Sequence, residues 1–231
     1  MNGFELANAL EAKDKVRYAD FIVALRTNAA TVHHLSDDGL VIAQQHWADA
    51  VLFPKGDAVR LASRIPKGKR SLTIHGTKLK GAVEAGTGYK LSMLTSQYVY
   101  TKDTIENSFP EGFRFRPVSL SDKAAVTEHY HLLNEGLILQ YIRDGRLTAL
   151  EAGGELVGFI GIHYGGSMGA LEVFPGKRRN GYGEALERYL IADRLSMGLI
   201  PFCHIIDGNV RSLLLQKKLG LVCDSIPVYW L

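Results

Sequence analysis

The apolar residues in the carboxy-terminal part of the chain recur with two periods, which predict strands and helices in turn. Alternating or continuous apolar runs predict strands at Phe113–Val118, Leu147–Glu151, Glu155–His163, Ala170–Phe174, Pro201–Ile206 and Val222–Leu231. Apolar residues at helical spacing predict helices that begin near Ser121-Asp122, Glu135, Gly183 and Asn209. The resulting order, β-α-α-β-β-β-α-β-α-β, is typical of an α/β domain.

The amino-terminal part repeats much of this succession after a predicted helix over Leu6–Leu25. Its strands are predicted at Thr31–Leu35, Leu40–Gln45, Ala50–Phe53, Ser71–His75 and Tyr89–Tyr100. Leu52-Phe53-Pro54 precedes helix, strand, helix and strand, as Val173-Phe174-Pro175 does later. We therefore predict two related halves, an amino-terminal half (1–110) and a carboxy-terminal half (111–231), which meet at the polar segment 107–112.

Composition and charge narrow the class of protein. With 231 residues, 46% hydrophobic and 22% charged, the chain is long enough for a substantial core and resembles an ordinary globular protein. The net charge of +3 falls entirely in residues 1–110, which suits an anionic small ligand and is too weak to indicate nucleic acid. The start of the chain has no basic segment followed by an apolar one, and no apolar run has membrane-spanning length. We therefore expect a cytoplasmic protein without a membrane partner, either monomeric or homodimeric.

Cysteine and histidine spacing predicts no metal site. Cys203 and Cys223 have no CxxC partner, so they offer neither a zinc site nor a disulfide framework. His33-His34 and His129-x-His131 have no Cys, Asp or Glu at matching spacing, so a structural or surface role is favoured for them.

The segment from Val173 to Gly183 carries the strongest chemical signal. A strand ends at Pro175, a basic loop with Lys177, Arg178 and Arg179 follows, and Gly181 and Gly183 open a helix. Glycine allows close backbone approach, and a helix amino terminus offers unpaired N–H groups and partial positive charge to an anion such as pyrophosphate. Alone, the loop is equally well interpreted as a solvated basic turn.

The surrounding residues favour the phosphate-binding interpretation, because they resemble the GNAT superfamily of N-acyltransferases. Arg178-Arg179-Asn180-Gly181-Tyr182-Gly183 resembles its R-x-x-G-x-G signature, and the strand-ending V-x-P lies at the usual offset. The helix from Asn209-Val210-Arg211-Ser212 to Lys218-Leu219-Gly220-Leu221 resembles its N-x-x-[AS]…K-L-G-[FL] helix. Residues 201–209 and the terminal Val228-Tyr229-Trp230-Leu231 look like glycine N-acyltransferase-like members, which carry a GNAT-like amino-terminal half without a cofactor loop.

The resemblance implies a GNAT fold: a mixed, mostly antiparallel central sheet with flanking helices, here in two GNAT-like halves. The amino-terminal half is expected to be degenerate, because Pro54-Lys55-Gly56-Asp57 enters its helix without the loop motif. The resemblance further implies an acyl-CoA-dependent N-acyltransferase that moves an acyl group, in the first place acetyl, directly to the amine of a small molecule such as an amino acid. The alternatives are a non-catalytic acyl-CoA-binding sensor and a protein amino-terminal acetyltransferase.

The residues that the resemblance assigns to the cosubstrate, acetyl-CoA or another acyl-CoA, lie on one strand, one loop and one helix. They are Leu171, Val173, Arg178, Arg179, Asn180, Gly181, Tyr182, Gly183, Asn209 and Ser212. Leu171 and Val173 are expected to pair with the pantetheine arm, and a backbone N–H there with the developing oxyanion.

The catalytic residues are less directly indicated. Many family members have a tyrosine acid where this chain has Gln216, and glycine N-acyltransferase-like members have a carboxylate where it has Ser167. His204 and Glu172 are therefore the candidate bases, acting directly or through water. Glu172 has the opposite strand parity to Ser167, which predicts that it faces away from the cleft. A hydrogen-bonded structural histidine and a carboxylate paired with a nearby Lys or Arg are the competing interpretations.

Overall fold

The structure, a computed structural model, describes residues 2–44, 50–66 and 71–231. Its helices, α1 to α8 in chain order, are Gly3–Asp14, Ala19–Arg26, Ala58–Ala62, Thr77–Thr87, Lys123–His129, Glu135–Arg143, Tyr182–Ser196 and Val210–Leu219. Its strands, β1 to β11, are Ala30–Ser36, Gly39–Gln44, Ala50–Pro54, Leu72–His75, Met93–Val99, Phe113–Pro117, Leu147–Ala152, Glu155–Ile162, Met168–Val173, Phe202–Ile206 and Val222–Trp230. A single 3-10 turn, Leu120–Asp122, precedes α5.

Two predicted elements need correction, and one extends past the described residues. The helix predicted over Leu6–Leu25 is two helices, because Asp14 ends α1 by accepting hydrogen bonds at Oδ1 from the N–H groups of Val16 (3.1 Å) and Arg17 (3.0 Å). The strand predicted from Tyr89 begins only at Met93, since α4 continues to a left-handed Gly88. Residue 45, the end of the predicted strand Leu40–Gln45, lies outside the described residues.

The chain forms two compact units that do not follow the two halves. The first unit contains Met1–Thr101, Tyr164–Ser167 and Leu199–Leu231, and the second contains Lys102–His163 and Met168–Gly198. The predicted division at residue 110 separates a degenerate half from a catalytic half by their origin and activity. The compact units do not test it, so it stays a prediction.

The strand order of the first unit explains why it takes residues from both halves. The order is β1-β2-β3-β4-β11-β5-β10, in which β3 and β4 are parallel and the other pairs are antiparallel. The last strand of the amino-terminal half, β5, lies between β10 and β11 of the carboxy-terminal half. In turn, β11 lies between β4 and β5. Each half therefore gives its last strand to the other.

A buried helix anchors the first unit. Every residue of α2 from Ala19 to Leu25 is buried, and Phe21 packs its ring 5.3 Å from the His75 imidazole. Asp20 within this stretch pairs with His75 at 2.8 Å, which supplies the partner that a buried carboxylate requires. Truncating a fully buried phenylalanine such as Phe21 to alanine costs about 3–5 kcal/mol, so this packing is a large share of the unit's stability.

The second unit is an antiparallel four-strand sheet with helices. Its order is β9-β8-β7-β6, and α7 packs on β7, β8 and β9. The ion pair between Arg116 on β6 and Asp122 (2.7 Å) fixes the turn into α5 and lowers the pKa of Asp122 to about 2. The succession β7-β8-β9-α7-β10-α8-β11 repeats β1-β2-β3-α3-β4-α4-β5, as the sequence predicts.

Across residues 2–44, 50–66 and 71–231, no helix is both long enough and apolar enough to cross a bilayer.

Candidate functional site

The loop between β9 and α7 ends in an open helix amino terminus. Arg179 has a φ of 71° and Gly181 a φ of 79°, and Gly181 is the N-cap of the fifteen-residue α7. Asn180 steadies the turn by donating Nδ2–H to the carbonyl oxygen of Lys177 at 3.0 Å. Because Gly181 has no side chain to cap the helix, the N–H groups of the first turn of α7 have no capping side chain as partner and carry the partial positive charge of a helix amino terminus.

Gly183 leaves space in front of this helix terminus. Apart from its chain neighbours and the backbone of α7, the described residues bring one atom within 4 Å of a Cβ built at Gly183, Val173 Cγ2, at an ordinary contact distance of 3.6 Å. The protein itself therefore does not require glycine at this position. A ligand close to the backbone would require it.

The three cations of the loop have different surroundings. Lys177 pairs with Glu155, which raises the pKa of Lys177. Arg178 donates Nη2–H to Glu172 Oε1 at 2.8 Å and Nε–H to the Val173 carbonyl oxygen at 2.9 Å. Arg179 is exposed. Three predicted site residues, Glu172, Val173 and Arg178, are thus bonded to one another.

A bulge in β9 determines the face of the strand on which Glu172 lies. Phe159 lies opposite Glu172 and Gly161 opposite Gly169, so two steps along β8 match three along β9. The bulge contains Ala170, whose φ is 50°. This left-handed conformation costs roughly 1–2 kcal/mol. Gly169 and Glu172 therefore share a face. Counting alternate residues along β9 therefore gives the wrong face for Glu172 relative to Gly169, and whether Glu172 faces away from the cleft stays a prediction.

The face of β9 that carries Glu172 is lined by aromatic rings. Phe159 and Phe174 are buried there, with ring centroids 6.2 Å apart, and Tyr130 meets Phe159 edge-on at 5.9 Å. Burial raises the pKa of Tyr130 to about 12, and the charge of Glu172 adds to this effect. Tyr130 is thus neutral at physiological pH, and the Glu172 side chain, 20% exposed, pairs with Arg178.

His163 lies against Gly169, near the beginning of β9, on the face that carries Glu172. Its ring lies so close to Gly169 that a Cβ there would be 2.2 Å from Nε2, and Nδ1 is 3.0 Å from the Tyr141 hydroxyl. Burial, helped by the charge of Arg146, lowers the pKa of His163 to about 4. This neutral imidazole was not among the predicted site residues, because its position at a strand end gave no sequence signal.

His204 is held by a glutamine that the sequence analysis missed. Its Nε2 is 3.0 Å from Gln97 Oε1 on the neighbouring β5, and its ring lies between those of Phe202 and Trp230, at 5.7 and 5.8 Å. The sequence signal that could have indicated this contact is Gln97 itself, the one side-chain amide within Leu94–Val99. His204 is therefore hydrogen-bonded, as the structural interpretation requires, and its role as a base stays a prediction.

The helix α8 begins as predicted. Asn209 is its N-cap and accepts a hydrogen bond at Oδ1 from the Ser212 N–H, at 3.2 Å. Gln216 is 1% exposed, and its Oε1 has no hydrogen-bond partner among the described residues. An amide has no titratable proton, so Gln216 cannot act as the acid that a tyrosine provides.

The predicted site residues are divided between the two units. The second unit contains Leu171, Glu172 and Val173 on β9. It also contains Arg178 to Gly183, which form the loop and the start of α7. His204, Asn209 and Ser212 lie in the first. That both groups serve one acyl-CoA stays a prediction.

The corresponding loop of the amino-terminal half is closed by its own carboxylate. Asp38 accepts hydrogen bonds at its carbonyl oxygen from the Lys55 and Gly56 N–H groups, and at Oδ1 from the Asp57 N–H at 3.0 Å. Arg60 also donates to Oδ1 at 2.8 Å, and these donors hold the pKa of Asp38 below its ordinary value. The N–H groups that would face a pyrophosphate here are already bonded.

Where the structure describes the chain, no three His, Cys, Asp or Glu side chains form a group that could hold a metal ion.

Comparison with known proteins identifies the fold. Residues 148–230 match the family described as FR47-like protein, and no protein with a curated description matches the sequence. A Drosophila malonogaster protein is 14% identical, with a TM-score of 0.66 over 99% of this chain and 86% of that one. A GCN5-related N-acetyltransferase from Kribbella flavida is 12% identical, with a TM-score of 0.59 over 94% of each chain. The tandem GNAT protein of the clavulanic acid biosynthesis pathway, without AcCoA, is 15% identical, with a TM-score of 0.52 over 99% of this chain and 93% of that one.

These likenesses confirm the predicted GNAT fold with its mostly antiparallel sheet and flanking helices. Together with the FR47-like match, they support the GNAT superfamily for this chain. Nothing among them bears on the glycine N-acyltransferase-like subfamily.

Proposed function

We propose that the protein is an acyl-CoA-dependent N-acyltransferase that transfers an acyl group, in the first place acetyl, to the amine of a small molecule such as an amino acid. The observation that carries the proposal is the amino terminus of α7, where Gly181 exposes the first-turn N–H groups and Gly183 leaves room for a ligand. The GNAT fold and the FR47-like match support it. The resemblance of residues 201–209 to glycine N-acyltransferase-like proteins favours an amino acid as the acceptor.

In this proposal the cosubstrate is held by its pyrophosphate at residues 178–183 and by its pantetheine arm along Leu171 and Val173. Asn209 and Ser212 are further cosubstrate contacts. A backbone N–H of β9 stabilises the thioester oxygen as it gains negative charge. The amine attacks the thioester carbonyl directly, forming the amide bond and releasing CoA as the thiolate.

Two groups are proposed to remove the proton from the amine, directly or through water. Glu172 is a carboxylate on β9, and breaking its pair with Arg178 makes it available. His204 is an imidazole on β10, the side-chain type that most often serves as a general base. Since Gln216 stands at the position of the usual tyrosine, solvent protonates the leaving thiolate.

The decisive experiment separates binding from transfer. Calorimetry with acetyl-CoA tests the site, and thiol release from acetyl-CoA with a panel of free amino acids and other amines tests the reaction. Binding without thiol release would support the acyl-CoA-binding sensor, which the amide of Gln216 at the acid position favours. Release only with peptides would support a protein amino-terminal acetyltransferase.

Reversing the charge of Arg178 is expected to weaken acetyl-CoA binding. The Arg178→Glu variant loses a cation at the predicted phosphate site and places a second carboxylate next to Glu172. We expect a loss of about tenfold in affinity, measured by calorimetry at low salt and reduced at high salt. The matched control is Arg114→Glu on β6, an exposed arginine that also pairs with a glutamate. Equal affinities for wild type and Arg178→Glu would remove Arg178 from the site.

Neutralising Glu172 is expected to tighten acetyl-CoA binding while slowing transfer. In the wild type, Arg178 must leave Glu172 to reach a phosphate, and a partly exposed pair of this kind is worth up to about 1 kcal/mol. Glu172→Gln should therefore bind acetyl-CoA roughly two- to fivefold more tightly. Glu151→Gln on β7, which also loses arginine pairs, is the control. Weaker binding by Glu172→Gln would mean that Arg178 keeps this partner when the cosubstrate binds.

A further inference from the structure

The strand β1 forms an outer edge of the sheet in the first unit. It stands first in the strand order, and among the described residues it pairs with β2 alone. Val32 is 37% exposed and Leu35 is 51% exposed, and Thr31 and His33 are exposed as well. The N–H and C=O groups on the outer side of such a strand are a template for another strand.

A bulge places the exposed apolar residues of β1 on one face. Val32 lies opposite Ile42 and Leu35 opposite Leu40, because the register shifts between Val32 and His34. Residues that lie opposite each other share a face of the sheet, as do residues two apart on one strand. Val32 and Leu35 therefore lie on the same face, although they are three residues apart in the sequence.

This face is part of the core of the first unit. Leu40 and Ile42 on β2 are 4% and 0% exposed, and they belong to the same buried cluster as Phe21 of α2. The apolar surface thus continues from the core across β2 to the edge, where Val32 and Leu35 remain partly in water. A further strand that covers them would gain the free energy of burying this surface.

The edge carries no charge that would oppose a copy of itself. None of its seven residues, Ala30–Ser36, is Asp, Glu, Lys, Arg or Pro. The outer strand of the second unit, β6, is different, because Arg114 and Arg116 lie on it and Pro117 ends it. Two copies of β6 would bring arginines together, whereas two copies of β1 bring no carboxylate, ammonium or guanidinium groups together.

We propose that β1 is the docking surface for a second copy of this chain, whose own β1 pairs with it in antiparallel orientation about a two-fold axis perpendicular to the sheet. Such an axis keeps the same face of both copies on the same side. Val32 and Leu35 of the two copies therefore form one continuous apolar row. Because both copies use the same edge, the assembly closes at two chains and does not continue into a filament.

Sedimentation equilibrium of the full chain at pH 8, above the ordinary titration range of imidazole, measures the pairing. One strand pair is small for a specific interface, and the bulge shortens the regular pairing, so we expect a dissociation constant of about 1–100 μM. Val32→Lys and Leu35→Lys should each raise it at least about tenfold, because each dimer then brings two ammonium groups to the shared edge. The matched controls are Val59→Lys and Leu91→Lys, exposed apolar residues of the same unit outside β1, which should pair as the wild type does.

Hydrogen exchange distinguishes strand pairing from contact between side chains alone. Pairing gives hydrogen-bond partners to the outward N–H groups of residues 30–36, so these groups exchange only from the monomer. At a concentration where about nine-tenths of the wild-type chains are dimeric, their exchange should slow about tenfold relative to a dilute sample. Exchange in residues 113–117 of β6 should not depend on concentration. The measurement needs no variant, so it decides the question even where a lysine variant does not fold.

Each outcome supports or overturns the second copy as the occupant. A wild type that stays monomeric at concentrations several times the largest expected dissociation constant would overturn it and leave the edge to a strand of another protein. A dimer that survives both lysine substitutions together, or one in which residues 30–36 exchange equally at all concentrations, would place the interface elsewhere and overturn it as well. Failure of acetyl-CoA to bind would count against the proposed function alone, since none of these measurements uses the cosubstrate.

Discussion

Replacing Gly183 with leucine is expected to weaken acetyl-CoA binding by about 100-fold, or roughly 2.8 kcal/mol, while the protein stays folded. The added side chain would occupy the space in front of the α7 terminus, where the phosphates must approach the backbone N–H groups within hydrogen-bond distance. Apart from the neighbouring backbone, the described residues bring only Val173 Cγ2 near the added Cβ, at an ordinary contact distance of 3.6 Å, so we expect the fold to accept the change. Calorimetry with acetyl-CoA measures the loss, and thermal unfolding without ligand checks the fold.

The chain offers a matched control for this variant in Gly81 on α4. Gly81 is also helical and, apart from neighbouring backbone, has no described atom within 4 Å of an added Cβ. It lies in the amino-terminal half, where Asp38 bonds the N–H groups of the corresponding loop. Gly81→Leu should keep wild-type affinity. Wild-type affinity in Gly183→Leu as well would show that acetyl-CoA does not bind at this helix terminus.

The local features of the site were predictable from the sequence because they depend on short-range chemistry. The proline after Phe174 ends β9, and Gly181 and Gly183 stand at the start of α7 in the order that the motif requires. Asn209 is an N-cap because its short side chain reaches the N–H three residues ahead, a contact set by spacing alone. The succession of strands and helices in both halves follows from hydrophobic periods in the same way.

The orientation of Glu172 was not predictable, because it depends on a bulge. Strict alternation along β9 gives the wrong face, and the inserted residue is revealed only by the pairing of Gly161 with Gly169 and of Phe159 with Glu172. Ala170 takes the left-handed conformation there although alanine has no preference for it. The tertiary pairing with β8 therefore overrides the local preference.

The exchange of the last strands between the two halves could not be predicted from the local sequence pattern either. The β5 sequence fits either half, since a strand pattern shows which residues are buried and not which strand lies beside them. The contact between Gln97 and His204 follows from this exchange, because β5 pairs with β10. The candidate base and the glutamine bonded to it therefore come from different halves of the sequence.

The same exchange predicts that neither half folds alone. Residues 111–231 contain β10 and β11, but the strand that lies between them, β5, belongs to residues 1–110. Expressed separately, residues 111–231 would expose the facing edges of β10 and β11, and residues 1–110 would lose the strand beside β4. Unpaired edges of this kind promote aggregation, so we expect both fragments to be insoluble or unfolded by circular dichroism.

The control is the full chain, cut after it has folded. It tests whether the protein needs an unbroken chain or only the pairing of its strands. A protease site placed after Ser108, between β5 and β6, allows cleavage of the folded protein. We expect the two pieces to remain one particle in size-exclusion chromatography and to keep wild-type acetyl-CoA affinity, because the strand pairing of the first unit needs no peptide link at that point. A soluble, folded fragment of residues 111–231 that binds acetyl-CoA alone would show that β10 and β11 can pair without β5, and the exchange would then not be a requirement of the fold.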